Sequence, residues 1–206
     1  MAEPERREHA ALQKSYFDRK VEYFMQPVPA EVERRTRAIV EAAGLAGGSR
    51  VLDVATGVGV LIPHILERGV KAGNLMGCDL SEQMLAGARA RYPGVFFWLG
   101  DFLDFPRSLG PFDAIFFNAC FGNFFDQRSV IDTAVHLADR GGRIVISHPM
   151  GSGFVAALHK SEPEIVPHLL PAEDKLSEWA RDFRLQLETF RDEPDLYLAI
   201  LRKSPQ

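Results

Sequence analysis

The sequence predicts a doubly wound α/β domain: a mostly parallel sheet with helices on both faces, finished by an antiparallel hairpin. Three observations carry this. Short apolar, strand-like runs alternate with helical stretches from Arg50 to Ser147. The first of these runs ends in an acidic, glycine-bearing turn, Asp53 to Gly59, where an open α/β sheet delivers a strand's carboxyl end to its ligand crevice. The chain then closes on two further strand-like runs joined by Asp192-Glu193-Pro194-Asp195, a hairpin signal. A chain of 206 residues fits one sizeable core, and no repeat or Pro/Gly/Ser linker divides it, so residues 1–206 read as a single domain.

The elements follow in order. Glu3 to Met25 is charged and carries Tyr16, Phe17, Tyr23 and Phe24; it reads as one or two amphipathic helices stopped by Pro27-Val28-Pro29. A second helical stretch runs from about Ala30 to Ala43, with Val32, Ile39 and Val40 on its apolar side and Gly44 to Gly48 as its stop. Arg50 to Val54 is the first strand, and Val60 to Glu67 a helix that accommodates Pro63 in its first turn. Asn74 to Cys78 is a strand, followed by Ser81 as N-cap of a helix reaching about Ala90. Val95 to Leu99 and Phe112 to Asn118 are strands. Arg128 to Ala138 is a helix, and Arg143 to Ser147 a strand after a turn from Asp139 to Gly142. Phe183 to Phe190 and Leu196 to Lys203 form the hairpin.

Composition excludes several classes. The hydrophobic content of 46% and a mean hydropathy of −0.09 are those of a globular chain, and no window approaches the run of about 18 apolar residues a membrane span needs. Met1 to His9 is charged and lacks the apolar stretch of a secretory leader, so the expected location is the cytoplasm. A net charge of −4 gives no global attraction to phosphate backbones. Cys78 and Cys120 stand alone in apolar runs, with no CxxC pair, and are expected to be buried free thiols. His148, His159 and His168 lack metal-ligand spacing, so no metal is expected. There is no P-loop, nucleophile elbow or HExxH.

The chemistry concentrates in Val51-Leu52-Asp53-Val54-Ala55-Thr56-Gly57-Val58-Gly59. A glycine turn lets backbone approach a ligand where a Cβ would intrude, and the acid before it suits a cationic ligand group. A dinucleotide fits poorly. Its G-x-G-x-x-G pattern would need glycine at position 62, where the chain has Ile62, and Asp53 would repel a pyrophosphate.

These residues resemble the first motif, D/E-x-G-x-G-x-G, of the class I S-adenosylmethionine-dependent methyltransferases, in the branch of small-molecule and quinone-type enzymes; Ala55 replaces the motif's first glycine. The resemblance covers about residues 45–203 and implies a Rossmann-like, seven-stranded sheet, with residues 45–206 as core and 1–44 as a helical lid. It implies S-adenosylmethionine as methyl donor and S-adenosylhomocysteine as product. Asp53, Ala55, Thr56, Gly57 and Gly59 would then hold the methionine end. In Gly77-Cys78-Asp79-Leu80-Ser81-Glu82-Gln83-Met84-Leu85, Asp79 takes the place of the acid that binds both ribose hydroxyls, Leu80 packs against adenine, and Met84 lies nearby. In Gly100-Asp101-Phe102, Asp101 would meet the adenine amino group and Phe102 line the ring. Phe112-Asp113-Ala114-Ile115 resembles the family's F-D-x-I strand, which leads to Asn118 and Ala119 beside the methionine moiety.

The acceptor side is less defined. His148, after the fifth strand, is the candidate general base, or else a histidine positioned by the Pro149 turn. Phe121, with Phe124 and Phe125, either stacks a substrate or fills the core. Met150 to Ala180, including Phe154, is expected to cover the acceptor with the N-terminal helices and Tyr16, unless those helices merely pack on the surface. The function expected is methyl transfer to a small-molecule acceptor by in-line displacement. The rivals are a protein or RNA methyltransferase, and a non-catalytic S-adenosylmethionine-binding protein of the same fold.

Overall fold

The computed structural model describes residues 3–204. Two helices, α1 (Glu3–Asp18) and α2 (Val21–Phe24), precede the proline break, and α3 (Ala30–Ala42) follows it. The alternating part runs β1 (Val51–Val54), α4 (Ile62–Glu67), β2 (Leu75–Asp79), α5 (Glu82–Arg91), β3 (Phe96–Leu99), β4 (Phe112–Asn118), α6 (Gln127–Leu137) and β5 (Ala138–His148). Two helices, α7 (Gly151–Ser161) and α8 (Glu173–Asp182), then lead to the hairpin of β6 (Leu185–Glu193) and β7 (Leu196–Lys203). The strands form one seven-stranded sheet in the order β3-β2-β1-β4-β5-β7-β6, parallel except where β7 runs against β5 and β6. Among the described residues no helix is long and apolar enough to cross a membrane.

Alternation along the strands splits the core into two layers. Leu52, Val54, Ile115, Phe117, Ile144 and Ile146 face α6 and α8, which contribute Val130, Ile131, Leu176 and Trp179. Val51, Ala114, Phe116, Val145 and Leu198 face α3, α4 and α5, with Ile39, Ile62, Ile65 and Leu85. Helices on both faces leave the carboxyl ends of the strands as the open edge. Because β2 and β4 flank β1 while the chain winds in opposite directions from it, the crevice falls between β1 and β4. Cys78 and Cys120 are buried free thiols.

The structure departs from the sequence reading in several stretches; β6, for one, takes in Asp192 and Glu193, expected in the hairpin turn, and leaves Pro194-Asp195 as the turn. The turn expected at Asp139–Gly142 belongs to β5, which starts at Ala138 opposite Phe112; Gly141, at φ 75°, absorbs the register shift before Ala114 meets Arg143. The stretch Met150–Ala180, to which the sequence reading assigned no elements, holds α7 and most of α8. The latter carries Glu173 and Asp174 in its first turn, Arg181 in its last, and Leu176, Trp179 and Ala180 on its buried side.

Candidate active site

The turn after β1 is held from beneath. Asp53 is buried, 2% exposed, and accepts a hydrogen bond from the Thr56 hydroxyl (2.7 Å). The Thr56 amide donates to the Cys78 carbonyl (3.0 Å), which ties the turn to β2. Asp53 therefore shapes the loop from below instead of presenting an open carboxylate, and burial pushes its pKa up to about 7. Gly57 and Gly59 divide the labour. At Gly57, φ 55°, a Cβ would meet no protein atom within 4 Å, so its bare face points into the crevice. At Gly59, φ 85°, a Cβ would meet Ile62 and Tyr92 at 2.8 Å, so its role is packing the loop onto α4 and α5.

Ala55, at the motif's missing glycine, is exposed and adopts φ 53°. A left-handed backbone costs a residue with a Cβ roughly 1–2 kcal/mol, against roughly 0.5–1 kcal/mol of extra chain entropy that glycine loses on folding. Ala55→Gly is therefore expected to stabilise the chain by up to about 1 kcal/mol in urea unfolding; a variant less stable than the parent would contradict the strain.

On the neighbouring strand Asp79 is half-buried and accepts from the Gly57 amide (2.8 Å) and the Ser81 amide (2.9 Å). Burial raises its pKa to about 6 in spite of those two donors. Ser81 caps α5 by accepting from the Met84 amide (3.1 Å). Leu80 is half-buried beside it. Across β2, Asp101 accepts from the Leu103 amide (3.0 Å) and from Arg6 of α1 (2.8 Å). On the other flank Asn118 accepts from the Ser147 hydroxyl (3.0 Å), and exposed Ala119 adopts φ 56°, its amide donating to the Ser147 carbonyl (2.8 Å). Two left-handed alanines, Ala55 and Ala119, thus border the crevice from adjacent strands.

Three expected contact residues lie elsewhere. Phe102 packs against Phe105, Phe117 and Phe124, and Met84 is buried on the inner side of α5, so both side chains are covered by protein. Phe121 is fully buried between Phe117, Phe124 and Trp179 and belongs to the core, not to the acceptor side. Aromatics that follow a central strand fill the volume between sheet and helix first.

His148 ends β5 opposite Tyr197, is 6% exposed, and has its ring centroid 5.3 Å from that of Phe154. Its Nδ1 accepts from the Met150 amide (3.2 Å), which places the proton of the neutral ring on Nε2. Burial lowers its pKa to about 4. The basic lone pair is thus taken by backbone, and the candidate base is a neutral N–H donor. Tyr16 packs with Val155, Ile165 and Val166 at the junction of α1 and α7, and burial raises its hydroxyl pKa to about 12. Among the described residues no cluster of His, Cys, Asp or Glu could hold a metal.

Sequence reading missed Arg6, Gln13 and Asn123. All three act between segments far apart in the chain: Gln13 donates to the Ile165 carbonyl, and Asn123 to Gln13 (3.4 Å). Only the burial of a glutamine in the middle of a charged helix could have signalled this, and burial is not written locally.

A family model described as a methyltransferase domain matches residues 51–142. A demethylmenaquinone methyltransferase of Paenarthrobacter aurescens is 26% identical over 175 residues, covering 74% of this chain and 68% of that protein. One from Deinococcus radiodurans is 33% identical over 147 residues, 68% of this chain and 59% of its own length. Among solved structures, the magnesium protoporphyrin IX methyltransferase of Synechocystis superposes with a TM-score of 0.70 at 17% identity, over 95% of this chain and 100% of that one.

Proposed function

From the premise that the chain is a class I S-adenosylmethionine-dependent methyltransferase, we propose that it methylates a small, flat, quinol-type acceptor whose own ionised hydroxyl makes a ring atom nucleophilic. The residues present fit the donor. Gly57 offers bare backbone, Asp79 offers a carboxylate at the end of β2, and the buried acids favour a ligand that carries positive charge. When bound, the sulfonium supplies an activated methyl group. The chain's own part is placement: Asp79 and Leu80 for the nucleoside, Ala55, Thr56, Gly57, Asn118 and Ala119 for the methionine end, Asp101 for the base. Residues 1–44 act as the lid on a core of 45–206. In-line transfer needs the nucleophile about 3 Å behind the methyl, with water kept out.

The observation that carries the acceptor class is His148. Its occupied Nδ1 and lowered pKa leave an Nε2–H donor, suited to hold an acceptor oxygen and unsuited to deprotonate one. An acceptor acidic enough to ionise unaided needs only that. Relatives named demethylmenaquinone methyltransferases support the same class, and two free thiols suit a reducing cytoplasm.

His148→Gln, which keeps a donor, is therefore expected to lower kcat/KM by less than about 10-fold, whereas loss of a true base costs roughly 10²–10⁴. A loss at the larger end would restore the base. The acceptor is tested with labelled methyl donor and reduced naphthoquinones lacking a ring methyl. Label on ring carbon is expected. Label on RNA or protein alone, or tight cofactor binding with no product from a whole metabolite extract, would replace this reading by one of its rivals.

A further inference from the structure

Helix α1 spans roughly 24 Å at 1.5 Å per residue, and its polar contacts run along its whole length. In its first turn Arg6 bridges Asp101 (Nη1 to Oδ2, 2.8 Å) and Asp104 (Nη2 to Oδ1, 2.9 Å) in the segment after β3, with both Arg6 and Asp101 side chains largely covered, 14% and 17% exposed. Midway, His9 meets the Asn123 carbonyl after β4 (2.8 Å), and buried Gln13 meets the Ile165 carbonyl. In its last turn Asp18 accepts from the Ser81 hydroxyl after β2 (2.6 Å). One helix thus touches the loops following β2, β3 and β4, on the β3 side of the sheet and at the crevice strand β4.

Two of these contacts fall on the loops assigned to the nucleoside. Asp101, the acid assigned to adenine, already carries Arg6. The Ser81 amide donates to Asp79, the acid assigned to ribose, while the Ser81 hydroxyl donates to Asp18. We infer that α1 is a strap latched across the nucleoside edge of the crevice, with Arg6 as the positioning residue that couples strap closure to nucleoside occupancy through Asp101.

The coupling has a kinetic consequence. A carboxylate can accept from both a guanidinium and an amino group, so a bound nucleoside and the closed strap reinforce each other at Asp101. Exchange of the nucleoside then requires α1 to lift, which breaks the Arg6 and Asp18 contacts together. This inference rests on the nucleoside assignment made above.

The test measures association and dissociation rates of S-adenosylhomocysteine by stopped flow in the wild type, Arg6→Gln and Asp104→Asn, the last lying outside the site. If the strap gates exchange, both variants raise the association and the dissociation rate together, by about 10-fold for Arg6→Gln, the weight of a charged hydrogen bond. Hydrogen exchange of the wild type is expected to slow at α1 amides when the nucleoside is bound. A variant that only dissociates faster would make Arg6 a plain contact, and unchanged rates with unchanged α1 exchange would remove the strap; either result overturns the inference while leaving the methyltransferase reading intact. A wild type that binds no nucleoside would remove both.

Discussion

Replacing Asp79 by alanine is expected to weaken S-adenosylhomocysteine binding by two to three orders of magnitude, with little change in the melting temperature of the ligand-free chain. The affinity estimate comes from two charge-assisted hydrogen bonds to ribose hydroxyls at about 1.5–3 kcal/mol each, discounted for water that re-enters the space. The small stability effect has a separate cause. In the ligand-free chain Asp79 accepts from the amides of Gly57 and Ser81, so losing it opens the half-buried Gly57 amide to water and takes one acceptor from the buried Ser81 amide. Against that loss stands the cost of holding the carboxylate ionised, visible in a pKa raised to about 6. The two nearly offset. Asp79→Asn, which keeps an acceptor and drops the charge, should fall between alanine and wild type. Titration calorimetry paired with thermal melts checks this: affinity within three-fold of wild type would take Asp79 out of the ribose role, and a large fall in melting temperature would make it a structural residue.

The fold was legible because its determinants are local. A short, mostly apolar strand over Arg50 to Val54 followed by the Gly57 turn, an N-cap at Ser81, and the hairpin signal Asp192-Glu193-Pro194-Asp195 each declare themselves within a short window. The positions proposed for the nucleoside, Asp79, Leu80 and Asp101, could be placed for the same reason, since they lie at or just after strand ends whose order the alternation dictates. What escaped was settled at long range. Phe102 and Phe121 stand at positions that abut the crevice in sequence, yet their side chains turn into the core, because the inner volume between β4, α6 and α8 is filled by large aromatics. Arg6 and Asp101 are 95 residues apart and meet only because α1 folds back over the sheet edge. The case for His148 as a donor and not a base rests on a single hydrogen bond, from the Met150 amide, that no residue pattern encodes.

Acidity gives the remaining large effect. Burial, with Asp79 nearby, raises Asp53 to about 7, and burial raises Asp79 to about 6, while in the unfolded chain both titrate near the usual carboxylate value of about 4. The folded, ligand-free chain therefore binds more protons than the unfolded one between about pH 4 and 7. Their contribution to its stability is fully present below that window and is lost as pH rises through it. A cationic, hydroxyl-bearing nucleoside asks for the opposite, since it binds best when both groups are ionised. Affinity should thus climb as pH rises from about 5 to 7.5, by up to about 10-fold per unit for each carboxylate below its midpoint, and the thermal shift on adding S-adenosylmethionine should grow over the same range. In Asp79→Asn the lower part of that climb should flatten and the part belonging to Asp53 remain. Binding that stays level across this range in the wild type would mean that the two acids are ionised before the ligand arrives, and that burial beneath the β1 turn does not control their charge.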